Sequence, residues 1–152
     1  MTDERLFKES KLLIYTDGGA RGNPGPAAIG FVVGNKKYGE AIGNTTNNVA
    51  EYKAVVAALK KAKQLLGKVE SKQTEVEVRM DSELVCKQMN GKYKILEPEL
   101  QKFFIEIWNM KQDFKSVSFH HIPREQNKEE DKMVNQALDG KATEETTPAH
   151  LL

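Results

Sequence analysis

Residues 11–42, KLLIYTDGGARGNPGPAAIGFVVGNKKYGEAI, decide the fold of this chain. Lys11–Thr16 is a short apolar run rich in β-forming residues, and Ile29–Val33 is a second one. The Gly- and Pro-rich segment ARGNPGPAA between them predicts a loop. Gly34-Asn35 is a hairpin signal that leads into a third strand at Lys37–Ile42. The stretch therefore predicts an antiparallel meander at the start of the domain.

Helical periodicity begins after this meander. Apolar residues fall on one helical face from Val49 to about Leu66, and Gly67 predicts the end of that helix. The alternating run Glu75–Met80 predicts a fourth strand, and Ser82 caps a short helix that reaches about Met89.

The remaining elements complete the order. Pro98 precedes a helix at Glu99–Lys111, Val117–His121 is the last strand, and Asn127 begins a final helix. The order β-β-β-α-β-α-α-β-α predicts an α/β fold with a five-stranded mixed sheet, three antiparallel strands and then two parallel ones, with helices on both faces. We expect one domain at 11–139, after a polar lead-in at 1–10 and before a polar tail at 140–152.

Composition excludes several classes of protein. A chain of 152 residues suits one domain, and a formal net charge of +1 does not by itself indicate a polyanionic partner. Cys86 is the only cysteine, so a disulfide-stapled scaffold is excluded and a reducing compartment is expected. The first ten residues lack the apolar segment of a signal peptide, and no run approaches the ~20 apolar residues of a membrane span. These features predict a cytoplasmic protein without membrane attachment.

Four acidic residues occupy special places in the predicted elements. Asp17 and Asp81 end strands, while Glu51 and Asp131 lie in the first turns of helices. Sites in α/β sheets form beyond the carboxyl ends of strands, where helix N-termini also gather. Carboxylates are the hard ligands that Mg²⁺ prefers, and two such ions can serve phosphodiester chemistry. The alternative is that the helical acids only complement helix dipoles, and spacing alone leaves both explanations open.

The wording around these acids resembles the signature segments of type 1 ribonuclease H. The resemblance runs in order from about Lys11 to Asp139 and covers nearly the whole chain. Four segments carry it: YTDGGARGNPGPA at Tyr15–Ala27, TTNNVAEYKA at Thr45–Ala54, MDSELVCKQ at Met80–Gln88 and HIPREQNKEEDKMVNQAL at His121–Leu138. The predicted element order also agrees with a ribonuclease H-like fold.

The resemblance implies a chemistry. Members cut the RNA strand of RNA–DNA hybrids with Mg²⁺, or with Mn²⁺ as a substitute, and leave 5′-phosphate and 3′-hydroxyl ends. It implies two metal ions held by Asp17, Glu51, Asp81 and Asp131, which are also the catalytic acids. His121 matches a histidine that assists proton transfer or product release. The alternative for His121 is a structural histidine at a strand end, and the neighbouring His120 complicates the match.

Loop residues beside the acids are the candidates for binding the hybrid duplex. Amides can bond to sugar hydroxyls, and the 2′-hydroxyl distinguishes RNA from DNA. A helix N-terminus can hold a phosphate, and glycines allow a close approach of the backbone to a sugar. Ordinary helix capping and turn geometry are the alternative roles. The candidates are Gly18, Gly19, Asn23, Asn44, Thr46, Asn47 and Asn48.

Two departures from the family pattern stand out. Only NGKYKILEP fills the place where many members carry a basic, Trp-rich helix, so the chain resembles the short forms, and we expect a monomer. Glu130 stands where the family usually has a small residue before the fourth acid. The spacing of Asn127 and Glu130 predicts a capping box, in which the Glu130 carboxylate turns back to the backbone of Asn127 and away from the metals.

Other residues are expected to be structural. Cys86 and the helically spaced Phe103, Phe104, Ile107 and Trp108 are predicted to pack in the core. The lysine cluster at Lys60–Lys63 is either a solvated face or a distant phosphate contact.

Two rival functions remain open from sequence. Integrases, Holliday-junction nucleases and other polynucleotidyl transferases share the fold, although the Thr-Thr-Asn-Asn segment and the fourth acid argue against them. A non-catalytic hybrid-binding module is the other, although such a module has no physical need for four acids. Preference among RNA–DNA hybrid, double-stranded RNA and chimeric junctions is not determined by the sequence.

Overall fold

The computed structural model describes residues 11–140 and Thr146–Thr147. The lead-in at 1–10 and the rest of the predicted tail lie outside the described residues. The predicted order of five strands and four helices is confirmed. The elements are β1 Lys11–Ala20, β2 Gly25–Val33, β3 Lys36–Thr45, α1 Asn47–Gln73, β4 Glu75–Met80, α2 Glu83–Met89, α3 Pro98–Lys111, β5 Ser116–His121, α4 Lys128–Leu138 and β6 Thr146–Thr147.

The strands form one mixed sheet in the order β5-β4-β1-β2-β3-β6. Strands β1, β2 and β3 are antiparallel neighbours, whereas β4 pairs parallel with β1 and with β5. The predicted five-stranded mixed sheet is therefore confirmed. Strand β6 adds a sixth, two-residue strand beside Lys37 and Tyr38. The sequence did not predict it because two threonines in a polar segment carry no apolar alternation.

The first turn is shorter than predicted. The expected loop over ARGNPGPAA is confirmed only at residues 21–24, since β1 continues to Ala20 and β2 starts at Gly25. The backbone N–H of Arg21 closes the turn by donating to the Pro26 carbonyl at 2.8 Å. Glycine usually interrupts a strand, but Gly25 opens β2 because a Cβ there would collide with the Arg21 carbonyl of the turn.

Helices α1 and α4 cover opposite faces of the sheet, as predicted. A Cβ at Gly18 would lie 2.3 Å from the carbonyl carbon of Ala50 in α1, and a Cβ at Gly30 would lie 2.6 Å from the Glu130 carbonyl oxygen in α4. Gly30 pairs with Asp17, so Gly18 and Gly30 look to opposite sides of the pleat. The close approaches bring the start of each helix against the same region of the sheet.

The core lies between α1 and the sheet. Its largest fully buried side chains include Phe31, Tyr52 and Leu59, and Cys86 is buried with them as predicted. Helix α1 leaves helical geometry at Gly67, where φ is 80°, which agrees with the predicted end, and a second helical segment continues to Gln73. None of the described helices is long and apolar enough to cross a membrane.

The packing prediction for α3 is only partly right. Ile107 is buried and Phe103 packs against the core, but the Trp108 side chain is 53% exposed. One face of α3 meets α1, and Trp108 lies about 100° further round the helix than Ile107. The Lys111 ammonium lies 5.4 Å from the Trp108 ring centroid.

Candidate active site

Two neighbouring strands bring the first acids together. The prediction that Asp17 ends the first strand is wrong, since β1 continues to Ala20. Thr16 in β1 pairs with Met80, the last residue of the parallel strand β4, so Asp17 within β1 lies beside Asp81, which follows β4. Glu51 reaches the same place from the first turns of α1, which packs on β1. Carboxylate oxygens of Asp17, Glu51 and Asp81 all lie within 4.8 Å of one another. Three of the four acids that the sequence analysis singled out therefore meet in the folded chain.

The fourth predicted acid borders the triad. Asp131 lies near the start of α4, is exposed and stands outside the 4.8 Å group. It still acts on the triad, because its charge and a hydrogen bond between the two carboxyls raise the pKa of Asp17. Asp131 also raises the pKa of Asp81 by repulsion.

Burial and mutual repulsion make the triad difficult to ionise without a cation. Burial first, and then repulsion by Asp81 and Asp131, raise the pKa of Asp17 to about 8. Burial and the charges of Asp17 and Asp81 raise the pKa of Glu51 well above its usual value. Burial is also the main reason why the pKa of Asp81 is raised. A divalent cation with a preference for oxygen ligands fits this donor set, because it removes the repulsion and replaces the lost hydration.

Arg124 is a cation close to the acids that the sequence analysis did not single out. Its Nε atom lies 3.7 Å from Oδ2 of Asp81, and its side chain is 83% exposed while that of Asp81 is 7% exposed. Its charge lowers the pKa of Asp81 and of Glu51. A single arginine in a loop belongs to no periodic pattern, so the sequence indicates only that Arg124 lies between β5 and α4.

His121 is the last residue of β5 and pairs with Met80, the residue that precedes Asp81. Its side chain is exposed. The hydrogen bond to Lys87 is the main reason why the pKa of the Glu83 carboxyl is lowered, and His121 makes only a smaller contribution. His120 instead lies 3.0 Å from the Ser118 hydroxyl and 3.9 Å from Glu77, so the two histidines have different surroundings. His121 is therefore at the edge of the site, and its role remains a prediction.

The predicted amide residues brace the turn that leads into α1. Asn47 Oδ1 accepts from the Ala20 N–H at 2.8 Å, and Asn23 Oδ1 accepts from the Asn47 N–H at 3.0 Å. Thr46 caps α1 by accepting from the Val49 N–H at 3.3 Å, as the capping alternative predicted. Both exposed amides thus use their oxygens within the protein, and their NH₂ groups point to no acceptor among the described residues.

Asn44 and Asn48 flank this turn without an assigned bond. Asn44 is exposed near the end of β3, opposite Pro26, and Asn48 is half-buried in the first turn of α1. Both lie beside the N-terminus of α1, and their roles in substrate binding remain predictions.

The glycines after Asp17 serve the fold rather than a turn. Gly18 and Gly19 lie within β1, paired with Ile29 and Ala28, so the turn explanation is wrong. The space left by the missing Gly18 side chain is filled by the backbone of α1, and Gly19 faces Val134 of α4 at 3.7 Å. Only the Gly18 N–H turns to the acids, where it lowers the pKa of Asp17 and Glu51.

The predicted capping box at Asn127 and Glu130 is wrong. The Asn127 N–H donates to the Arg124 carbonyl at 2.9 Å, and its side chain makes no capping bond. Glu130 is instead 4% exposed and lies under α4 against the sheet, in a cavity that it shares with Tyr15 and Lys37. The motif failed because the Asn127 side chain is used in a contact distant in sequence.

The lysine cluster on α1 is paired within the protein. Lys60 lies 3.3 Å from Glu106 and Lys63 lies 3.1 Å from Asp113. Lys61 is buried, with its ammonium 2.7 Å from the Gln64 amide oxygen. These contacts favour a structural role over a distant phosphate contact.

Comparison with known proteins agrees with this site. Residues 15–137 match the family model described as "Reverse transcriptase-like". The Ribonuclease HI of Halobacterium salinarum is 37% identical over 131 residues, which are 82% of this chain and 63% of that protein. The "Bifunctional protein Rv2228c" of Mycobacterium tuberculosis is 38% identical over 139 residues, 87% of this chain and 36% of that protein.

A solved structure extends the similarity to three dimensions. LC11-RNase H1, solved in complex with an RNA/DNA hybrid, superposes with a TM-score of 0.80 at 46% identity, over 85% of this chain and 97% of that one. Fold and acids thus define a protein of the ribonuclease H class. More narrowly, the chain belongs to the type 1 ribonuclease H family. It spans about a third of the length of the mycobacterial relatives, 36% of each.

Proposed function

We propose that this protein is an endonuclease that hydrolyses the RNA strand of RNA–DNA hybrids and leaves 5′-phosphate and 3′-hydroxyl ends. The observation that carries the proposal is the triad of Asp17, Glu51 and Asp81, with ligand atoms within 4.8 Å of one another. The relation to LC11-RNase H1, which was solved with an RNA/DNA hybrid, supports the choice of substrate.

The four acids would hold two Mg²⁺ ions, with Mn²⁺ as a substitute. When bound, such a pair activates water and stabilises the leaving oxygen of the phosphodiester. Asp17 would contribute a buried carboxylate, since the residue is 5% exposed and adjoins both Asp81 and Asp131. The exposed Asp131 would complete the set from the solvent side, where a substrate phosphate arrives.

His121 and Arg124 would act at the rim of this centre. The imidazole of His121 is exposed at the edge of the acids, a position that suits a role in proton transfer or product release. The Arg124 guanidinium pairs loosely with Asp81 and could turn to a phosphate once a cation takes its place.

The minor groove of the hybrid would lie against the turn before α1. Asn23 and Asn47 hold their carbonyl oxygens in the turn, which leaves the NH₂ groups to donate to a 2′-hydroxyl. Asn44, Asn48 and the Thr46 cap extend this surface, with Gly18 and Gly19 contributing backbone only. A monomer in the cytoplasm that makes no membrane contact remains our expectation for the whole protein.

A cleavage assay tests the proposal directly. End-labelled 20-mer hybrid, double-stranded RNA and double-stranded DNA are incubated with Mg²⁺, Mn²⁺ or chelator. We expect cutting of the RNA strand of the hybrid with either metal and none in chelator. Asp17→Asn and Asp81→Asn should abolish cutting with folding retained, while Asp113→Asn, which only breaks a surface ion pair with Lys63, should cut normally.

Each rival function gives a different pattern in the same assay. A non-catalytic hybrid-binding module would retain the hybrid but cut nothing with any metal. An integrase-like or junction-cutting enzyme would process DNA ends or branched DNA. Near-normal hybrid cleavage by Asp17→Asn or Asp81→Asn would reject the assignment of the centre.

A further inference from the structure

Asn127 is a buried polar residue to which the proposed chemistry gives no task. Its side chain is 0% exposed and is one of the largest fully buried side chains of the protein. It is also the first residue of the turn that starts α4, although it does not cap the helix with its side chain. Burial of an amide is unfavourable unless its polar atoms are bonded, so the bonds of Asn127 indicate why it is there.

The first bond ties Asn127 to the strand that carries Asp17. Its Nδ2 atom donates to the Thr16 carbonyl at 2.9 Å, across 111 positions of sequence. The Leu13 carbonyl accepts from the Gly34 N–H on the β2 side of β1. Successive carbonyls of a strand point to opposite neighbours, so the Thr16 carbonyl, three residues later, points to the β4 side. Strand β4 ends at Met80, opposite Thr16. The amide therefore takes the place of the ladder donor that β4 no longer supplies.

The same amide reaches the second strand-end acid. The Asn127 side chain is a hydrogen-bond partner of the Asp81 carboxylate. One side chain thus contacts the peptide before Asp17 and lies beside the Asp81 carboxylate.

The backbone of Asn127 positions the fourth acid. The Asp131 N–H donates to the Asn127 carbonyl at 3.1 Å, which is the first helical bond of α4. The place of Asp131 along the sheet is therefore set by where the Asn127 side chain is anchored.

The acceptor half of the amide is left without a partner. Asn127 Oδ1 is buried and accepts no hydrogen bond from the described residues. If packing alone mattered, an apolar residue would be more favourable here than an amide with an unbonded oxygen. The role of Asn127 therefore lies in its Nδ2 donor.

We propose that Asn127 is a positioning residue that fixes Asp81 and Asp131 relative to Asp17, so that the acids bind metal as one preorganised set. The inference rests on the proposed metal centre. Residues that hydrogen-bond around metal ligands typically change metal affinity by about 10–100-fold when they are replaced. An apolar residue at 127 would leave Thr16, Asp81 and the start of α4 unconnected.

Titration calorimetry with Mn²⁺ alone, without nucleic acid, is the first test. Wild type should bind Mn²⁺, and Asn127→Ala should bind it about 10–100-fold more weakly while its near-ultraviolet circular dichroism is unchanged. Asn127→Ser is the second variant, because serine caps helices well but is too short to reach both partners. The exposed Asn109→Ala on α3 is the matched control and should bind as wild type does.

Hybrid cleavage as a function of Mn²⁺ concentration gives an independent readout. The Asn127 variants should need more Mn²⁺ for half-maximal rate and approach the wild-type rate at high Mn²⁺, with an unchanged KM for the hybrid. A folded variant with wild-type Mn²⁺ affinity overturns the proposal, and so does loss of folding in both variants, since the bond would then serve the core. Wild type that binds no Mn²⁺ would instead reject the proposed metal centre.

Discussion

Gly18 of β1 and Ala50 of α1 approach so closely that a Cβ on Gly18 would lie 2.3 Å from both the carbonyl carbon and the carbonyl oxygen of Ala50. Both partners are backbone in regular elements, so neither moves easily. Gly18 follows Asp17 and Ala50 precedes Glu51, so this contact brings the two acids together as α1 packs on β1. The approach of strand and helix is therefore a condition for the acidic triad.

Gly18→Ala should be strongly destabilising. Overpacking of this kind costs about 1–3 kcal/mol and occasionally more, and a clash between two backbones belongs at the upper end. Gly19→Ala is the matched control, because its Cβ would meet only the Val134 side chain at an ordinary 3.7 Å. Urea unfolding of both variants checks this. Equal stability of the two would show that α1 does not depend on the glycine.

Asp17→Asn should stabilise the metal-free protein at high pH. The pKa of Asp17 is raised from 3.8 in the unfolded chain to about 8 in the fold. Between these values the folded state retains a proton that the unfolded state has lost, so stability falls as pH rises through this window. The asparagine variant does not lose stability in this way. At pH 8 its free energy of unfolding should exceed that of wild type by on the order of 2 kcal/mol, less than the full shift implies, because the neighbouring acids share the protons.

Urea unfolding in chelator at pH 4 and pH 8 measures the effect. At pH 4 the two proteins should differ little, because Asp17 is protonated in the fold. Asp113→Asn is the control and should change stability by less than about 1 kcal/mol at either pH. A stability gain of equal size at both pH values would contradict the electrostatic explanation.

Glu130→Gln should be neutral to stabilising at neutral pH, contrary to the effect of breaking a helix cap. Burial is the main reason why the pKa of Glu130 is raised, so an uncharged side chain of the same shape relieves a desolvation cost. We expect a gain of up to about 1 kcal/mol above pH 7 that disappears at low pH. The exposed Glu99→Gln on α3 is the control, because Glu99 does not act on Glu130. A loss of stability in Glu130→Gln would show that the carboxylate has a partner that it needs.

Asn47→Asp should impair hybrid cleavage without loss of fold. The aspartate retains an oxygen for the Ala20 N–H but removes the NH₂ donor proposed for the 2′-hydroxyl. We expect at least about a tenfold loss of kcat/KM, the scale of about 1.4 kcal/mol for one lost hydrogen bond in a site. A hybrid with deoxyribonucleotides on both sides of one phosphate should resist cutting there in wild type.

Asn109→Asp separates the added charge from the lost donor, since it places the same charge on exposed α3. If Asn47→Asp has the melting temperature and the cleavage rate of wild type, Asn47 does not bind the substrate.

Periodicity predicted most of the fold, and it failed where tertiary contacts override local preference. The alternating pattern of Glu75–Met80 and the helical pattern from Val49 both hold. The strand through Gly18 was missed because a glycine that accommodates a helix looks locally like a turn. Trp108 was assigned to the core because spacing gives the face of a helix but not what lies opposite.

The candidate site was predicted mainly through the resemblance. Strand ends and helix starts made it plausible that Asp17, Glu51 and Asp81 meet, and the structure brings them within 4.8 Å. Arg124 and the anchoring bond of Asn127 were not predictable, because each depends on a partner that only the folded chain brings near.

The acids are contributed by elements far apart in the chain, from Asp17 on the first described strand to Asp131 on the last described helix. Domains fold as units while synthesis proceeds from the N-terminus at about 5–20 residues per second. A nascent chain that has released only β1–β5 from the ribosome would therefore carry three of the acids without Asn127 or Asp131. The proposed metal centre would therefore be complete only when α4 has emerged and docked.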